Sequence, residues 1–440
     1  MSRAAEVKAG LWKAAKLKII LVNQTFYPDL ASTAQHSFDL CRYLTGQGHQ
    51  VSVVTSRSLY GQAGAKLPSR ETVEGIEIHR VGLSLFGKKS IALRLIDFGL
   101  FYVLALFRAV TLPKADVIIA LTTPPFIATV GYLRQLLRGT KFVYWVMDLY
   151  PDTPIACGMM RSDSLLAKLL GAVNNFTLRR ADCNVLLGRC MENLVMAKGA
   201  PAQHCAVIPV WNVAEEGEIK SPQQSSYRQE WNLEGKFVVM YSGNLGIGHD
   251  AKTLYLAAEE LRDHPTIRFV FVGGGKRAEE LKAYVQDKKL ENVLIKPYQP
   301  RSKLADLLSL GNVHMISLLE RATGVMLPSK VYGIMGAGRP AIFVGSPRSE
   351  VAMVLTENNC GWVVKNDDVV GLAKLIESLP EDPNLDVMGR RGQAANERLY
   401  KDTRCLEAWQ AMLEKLIQPL PNPEISLAAH SQSQKSDVPN

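Results

Sequence analysis

The sequence predicts an α/β protein of two doubly wound, Rossmann-like domains facing each other across a cleft. Three observations carry that prediction. The 440 residues exceed one ordinary hydrophobic core and suit two domains of about 200 residues each. Short apolar runs alternate with helical patterns in both halves, which implies parallel sheets with right-handed crossovers. A Pro-rich and polar stretch, Pro209 to Ser226, with Glu215-Glu216 inside it, separates the two series as a hinge.

Taken in order, the elements are these. Met1 to Lys18 is basic. The apolar run Leu17–Val22 is too short for the h-region of a signal peptide, and no small-residue cleavage pattern follows it. It reads as a first strand buried on both faces, behind a basic leader over residues 1–16. A helix over Ala34–Gly46 carries Phe38, Leu40, Cys41 and Leu44 on its apolar face, and Gly48 leads into a strand, Val51–Thr55. Further strands are Val117–Ala120, Lys141–Met147 and Cys183–Leu187. The longest apolar stretch, Phe98–Phe107, cannot span a bilayer, which takes about 20 residues. It is either a helix packed on the sheet or one partly inserted in a membrane surface, where Lys88, Lys89 and Arg94 would suit anionic lipid. The first domain is 17–213.

The second domain is 214–418. Its strands are Phe237–Tyr241, Ile267–Val272, Val293–Lys296, Val313–Ser317 and Ala341–Val344. Its helices are Lys252–Arg262, Glu279–Lys288, Lys303–Leu310 and Lys330–Ala337, with more from Val369 onward. The last of these could pack back on the first domain. Residues 419–440 are polar and Ser/Gln/Pro-rich, and read as a disordered tail.

Composition narrows the class. A chain 47% hydrophobic and 21% charged is globular. The net charge is +9, and residues 1–112 hold 14 Lys and Arg against 7 Asp and Glu. Such a surface favours nucleotide phosphates or phospholipid head groups; nucleic acid is not among the expected partners. The seven cysteines form no C-x-x-C pair, so a zinc ribbon is not indicated and no metal site is expected. Reduced thiols in the cytosol fit the pattern.

Four segments carry chemistry. Tyr241 to Asp250, with Gly243, Gly246 and Gly248, follows a strand and precedes a helix. It is either a tight turn or a close backbone approach to a ligand phosphate. Val272-Gly273-Gly274-Gly275-Lys276 has the same setting and the same two readings. Neither segment is G-x-G-x-x-G or a P-loop, which disfavours a dinucleotide dehydrogenase. In Leu327 to Pro340, Ser329 is a natural N-cap and Gly338 a C′ glycine. Lys330 sits on the first helical turn, where acidic residues are usual; it is either a solvated lysine or a cation with an anion beside it. The fourth segment, Tyr144 to Asp152, puts Asp148 at the carboxyl end of a core strand, where a buried carboxylate needs a partner or a task. His249 and Glu320 also fall near strand ends.

Together, the Gly243-Asn244-x-Gly246 and His249-Asp250 turn, the Pro328-Ser329-Lys330-x-Tyr332 helix with Gly338-Arg339-Pro340, and Asp148-x-x-Pro151-Asp152 resemble the GT-B-fold glycosyltransferases of family 4. The likeness covers about residues 17–418 and is closest to a bacterial branch that builds cell-surface polysaccharides. It implies a retaining, metal-independent transfer from a nucleotide-diphosphate sugar, with no cofactor besides that co-substrate. Donor contacts would fall on Gly243, Asn244, Gly246, His249, Asp250, Gly274, Ser329 and Lys330. Asp148, Lys330 and Glu320 would serve catalysis.

The expected acceptor is a glycan or a polyprenyl-linked one. The expected place is cytoplasmic, at the inner face of the cell membrane, with peripheral contact to anionic lipid. The departures are specific. Many relatives carry two glutamates eight residues apart where this chain has Val325 and Gly333. Their Arg and Lys in the Gly-rich turn are Asn244 and His249 here, which leaves Lys330 to carry more of the diphosphate clamp. A nucleotide-sugar 2-epimerase of the same fold, or a non-catalytic assembly protein, are the rival readings.

Overall fold

The computed structural model describes residues 16–29, 31–59, 67–82, 91–212 and 220–418. The basic leader up to residue 15, Lys88, Lys89, the side chain of Arg94, Glu215-Glu216 and the tail from 419 lie outside the described residues.

The first domain is built on eight strands: β1 (Lys18–Val22), β2 (Gln50–Ser56), β3 (Arg70–Val73), β4 (Ile76–Val81), β5 (Val117–Ala120), β6 (Lys141–Val146), β7 (Cys183–Leu186) and β8 (Cys205–Val207). Their spatial order is β3-β4-β2-β1-β5-β6-β7-β8. The second sheet holds β9 (Phe237–Asn244), β10 (Ile267–Gly274), β11 (Val293–Lys296), β12 (Val313–Ser317), β13 (Ala341–Val344) and β14 (Gly361–Val364). Their order is β11-β10-β9-β12-β13-β14. Every pairing is parallel except the β3–β4 edge. The winding reverses between β1 and β5 and again between β9 and β12, which creates a switch point in each domain. Ligands of open α/β sheets bind there, outside the carboxyl ends of the strands.

The interior strands are unbroken apolar runs because crossover helices cover both faces; Val117 to Ala120 and Ala341 to Val344 are buried throughout. Four strands were not expected from the sequence. β3, β4, β8 and β14 lie at or next to sheet edges and are only partly buried. The helix over Ser32–Gly46 buries Phe38, Leu40, Cys41 and Leu44.

The run Phe98–Phe107 is the middle of a 21-residue helix, Ile91–Thr111. Phe101, Ala105 and Ala109 bury one stripe on the sheet, while Leu100, Val103 and Phe107 face outward. No helix among the described residues is long and apolar enough to cross a membrane.

One hydrophobic core runs from the first sheet into Val331, Tyr332, Ile334 and Met335 of the second domain. The Leu149 amide donates to the Val325 carbonyl across this junction at 2.9 Å. Arg189 of the first domain pairs with Glu357 at 2.7 Å and Glu350 at 2.9 Å of the second. The last helix, Asp402–Ile417, crosses back to the first domain, where the Trp409 and Trp145 rings meet at 4.7 Å.

Candidate active site

The second switch point assembles the site. β9 and β10 extend past their apolar runs and pair through their glycines, Gly243 opposite Gly273 and Asn244 opposite Gly274. The Leu245 amide then donates to the Gly274 carbonyl at 2.7 Å, and the Arg277 amide to the Leu245 carbonyl at 3.0 Å. The two Gly-rich loops are therefore zipped together. This explains the three consecutive glycines. A Cβ on Gly273 would stand 2.3 Å from the Gly243 carbonyl oxygen, and one on Gly275 2.4 Å from Asn244 Oδ1; both have φ above +100°. Gly274 thus serves first to join the loops. Gly273→Ala should cost about 1–3 kcal/mol through backbone strain at φ +132°. A melting temperature within one degree of wild type would overturn that reading.

Beyond the zipper the chain turns through Gly246, Ile247 and Gly248, whose amides have no acceptor among the described residues. Asp250 does not present a free carboxylate. It caps the helix Ala251–Glu260, accepting from the Thr253 amide at 3.0 Å, the Thr253 hydroxyl at 2.6 Å and Asn366 at 2.8 Å. That network anchors the far side of the turn.

Lys330 enters from the other side of the switch. Its stem is partly exposed, but its ammonium is shut off from solvent and has no hydrogen-bond partner. It lies 3.5 Å from the centroid of the Tyr241 ring, a cation–π contact. A Cβ on Gly243 would be 3.7 Å from its Nζ. Burial holds the Lys330 amine well below the ordinary lysine range. A buried ammonium without an acceptor is costly unless an anion completes it.

His249 stands beside it. Its Nδ1 donates to the Ser317 carbonyl at the end of β12, at 2.5 Å. Burial, then Lys330, lower its pKa to about 3. The imidazole is neutral, with Nε2 left as an acceptor, so His249 does not supply the cation expected from its place in the turn.

Ser329 corrects the sequence reading. A capping side chain needs extended backbone, but Ser329 is already helical at φ −60°, ψ −16°, and its side chain makes no capping bond. The helix that follows, Lys330–Gly336, has only seven residues, so the cationic side chain matters here more than the helix dipole. The two absent glutamates have a physical counterpart. Val325 is buried and belongs to the shared core. A Cβ on Gly333 would meet Asn212 Oδ1 at 3.3 Å, and one on Gly336 would meet Asn212 Nδ2 at 2.9 Å. That face of the helix is therefore filled by the chain crossing from the first domain.

Asp148 lies at the end of β6, on the opposite wall. It is half-buried, and burial raises its pKa to about 6. The thiol of Cys157, itself raised by burial, lies in the fields of Arg321, Asp148 and Arg277. A Cβ on Gly248 would be 3.6 Å from its sulfur. Cys157 thus stands between the Gly-rich turn and the side of the first domain that carries Asp148. Glu320 is exposed on the turn Glu320–Ala322, which the Leu319 amide holds to the Gly248 carbonyl at 2.9 Å. The next residue, Arg321, lies against Gly158 of the first domain. Ser317 and Arg321 are candidate site residues outside the four segments, and Tyr241, though it opens the first segment, is not singled out by the sequence. Tyr241 ends a predicted strand and so resembles core.

Comparison with known proteins agrees with this architecture. Residues 33–211 match the family model described as glycosyl transferase 4-like domain, and residues 223–398 match glycosyl transferases group 1. WcaI of Escherichia coli (strain K12), named as a colanic acid biosynthesis glycosyl transferase, is 25% identical over 349 residues, 77% of this chain and 86% of its own. The solved sucrose-phosphate synthase of Thermosynechococcus elongatus superposes with a TM-score of 0.73 at 15% identity, covering 91% of this chain and 99% of that one. HepE of Anabaena, solved with UDP-glucose, gives 0.66 at 15% identity over 91% and 100%. The epimerase and non-catalytic readings are not favoured by these matches.

Proposed function

We propose, for a chain that belongs to the glycosyltransferases joining a 4-like domain to a group 1 domain, that it takes a sugar from a nucleotide-diphosphate donor held at the second switch point. The hydroxyl that receives it belongs to a glycan or polyprenyl-linked acceptor held by the first domain, in synthesis of a cell-surface polysaccharide at the inner face of the membrane. The colanic acid role in the name of WcaI and the UDP-glucose bound to HepE support this reading.

The observation that carries it is the Lys330 side-chain nitrogen, buried without an acceptor against Gly243, at the start of the turn whose Gly246, Ile247 and Gly248 amides have no acceptor among the described residues. A donor diphosphate would complete both. Charge developing on the leaving diphosphate would be met by Lys330 and backbone N–H groups fixed in place, without a resident metal. The sugar would then point towards Asp148, and attack from the leaving-group side would retain its configuration. Closure of the domains over the donor would exclude water and limit hydrolysis.

A thermal-shift panel of nucleoside diphosphates and nucleotide-sugars tests the donor assignment, because a ligand of the folded state raises the melting temperature. We expect one nucleotide to raise it by several degrees in wild type and not in Lys330→Met. A panel with no shift at all would refute the assignment. Incubation of the responding nucleotide-sugar without acceptor should leave the sugar's stereochemistry unchanged.

A further inference from the structure

The face of the first domain away from the last helix carries three neighbouring helices, Ile91–Thr111, Ala128–Arg138 and Leu165–Arg180. Arg134 of the second donates to the Leu112 carbonyl at 3.4 Å and the Pro113 carbonyl at 2.7 Å, at the end of the first. The Tyr132 and Phe176 rings join the second to the third at 5.1 Å.

All three turn large apolar side chains outward. On the first, Leu100, Val103 and Phe107 fall on one stripe, and the last two are 66% and 67% exposed. On the second, Leu136 and Leu137 are exposed. On the third, Leu165, Leu169, Val173 and Phe176 form a stripe, with Leu165 83% exposed. Isolated exposed leucines are ordinary, but a contiguous apolar face on three adjacent helices marks an interaction surface.

The charge on this face is mostly of one sign, since the exposed Asp163 just before the third helix is paired with Arg161 at 2.8 Å. The single carboxylate in the three helices is Asp97, which is buried. Arg138, Lys168, Arg179 and Arg180 are exposed. A second copy docking through the same patch would set these cations against their own counterparts, with only the Arg161-paired Asp163 beside them. An anionic bilayer accepts both features: the apolar stripes enter the acyl boundary and the cations meet head groups. The patch also reaches the cleft. Gly158 lies against Arg321, and Met159 beside it is 59% exposed; the helix carrying Leu165 starts just beyond.

We infer that these three helices form a docking face for an anionic lipid surface, which sets the cleft mouth at the membrane. The inference does not rest on the donor assignment, because binding is read without turnover. Flotation of the full chain with vesicles tests it. Wild type should float with phosphatidylcholine mixed equally with phosphatidylglycerol and not with phosphatidylcholine alone, and should detach as salt rises. Phe107→Asp with Leu169→Asp should reduce bound protein by about tenfold or more. Lys168→Gln with Arg180→Gln, a milder change to the surface, should reduce it by about tenfold. Unchanged melting temperatures identify folded variants. The inference fails if wild type ignores the mixed vesicles, or if both folded variants float as wild type does. It fails equally if sedimentation velocity shows a dimer that these substitutions split while vesicles stay unbound.

Discussion

Lys330→Met should lower turnover by about 10²–10³-fold, the usual effect of removing one fixed donor from a developing oxyanion, and should at the same time make the protein more stable. The two effects have one cause. The Lys330 amine is enclosed over the Tyr241 ring with no hydrogen-bond partner, and an uncompensated buried polar group costs about 1–3 kcal/mol. Methionine keeps the unbranched stem and the contact with the ring and removes that cost.

The sign with pH follows from the lowered pKa of Lys330. The unfolded chain holds a proton on this amine below about pH 10.4, while the folded chain lacks it until the pH falls to the depressed value. Folding therefore releases a proton in that window, and the wild type loses stability relative to the variant as pH falls through it. Melting curves of both proteins at several pH values check this. A variant less stable than wild type, or with near wild-type turnover, would remove Lys330 from the clamp. Donor binding should return the proton to the amine. Calorimetry of a nucleotide-sugar in two buffers of different ionisation heat should then show proton uptake in wild type and none in Lys330→Met.

Much of this site could be read in the sequence, and the part that could not is long-range. Gly243 and Lys330 were visible because each breaks a local rule: a glycine where a strand should continue, a cation on the first turn of a helix. The interior strands were visible because burial on both faces leaves an unbroken apolar run. β3 lacks that signal because Arg70, Glu71 and Thr72 break it, whereas β8 and β14 are short apolar runs, Cys205–Val207 and Gly361–Val364, that pass for loop in the sequence. Tyr241 was invisible as a site residue, since an aromatic at the end of a buried strand looks like core.

The protonation state of His249 was unreadable for a different reason. It is set first by burial and then by Lys330, far away in sequence, against the opposing pull of the Ser317 carbonyl. Ser329 looked like a helix cap and Asp250 like a donor contact, and the cap is in fact Asp250. Only backbone geometry separates them, extended at Asp250 and helical at Ser329. The glycine run at the end of β10 could be read as a tight turn or as a ligand approach, and the opposing Gly243 backbone accounts for Gly273.

Asp148→Asn should lower the transfer rate by about 10²-fold or more while leaving donor affinity within a few-fold of wild type, because the carboxylate lies on the wall opposite the diphosphate groups. Its pKa, raised to about 6 by burial, gives the claim a pH signature. Ionised, Asp148 can accept a hydrogen bond from the incoming acceptor hydroxyl and orient it; protonated, it cannot. The wild-type rate should therefore fall as pH drops through about 6, and the residual activity of Asp148→Asn should lack that limb. Stability moves the other way. An acid whose folded pKa is raised is destabilising once ionised, so wild type loses stability as pH rises from about 4, the unfolded value, to about 6. The amide removes that loss, and the variant should melt higher than wild type at neutral pH. A residue with only a structural role would shift the melting temperature and leave the shape of the pH–rate profile untouched. An acidic limb that survives in the variant would assign the titration to another group, and unchanged kinetics would take Asp148 out of the reaction.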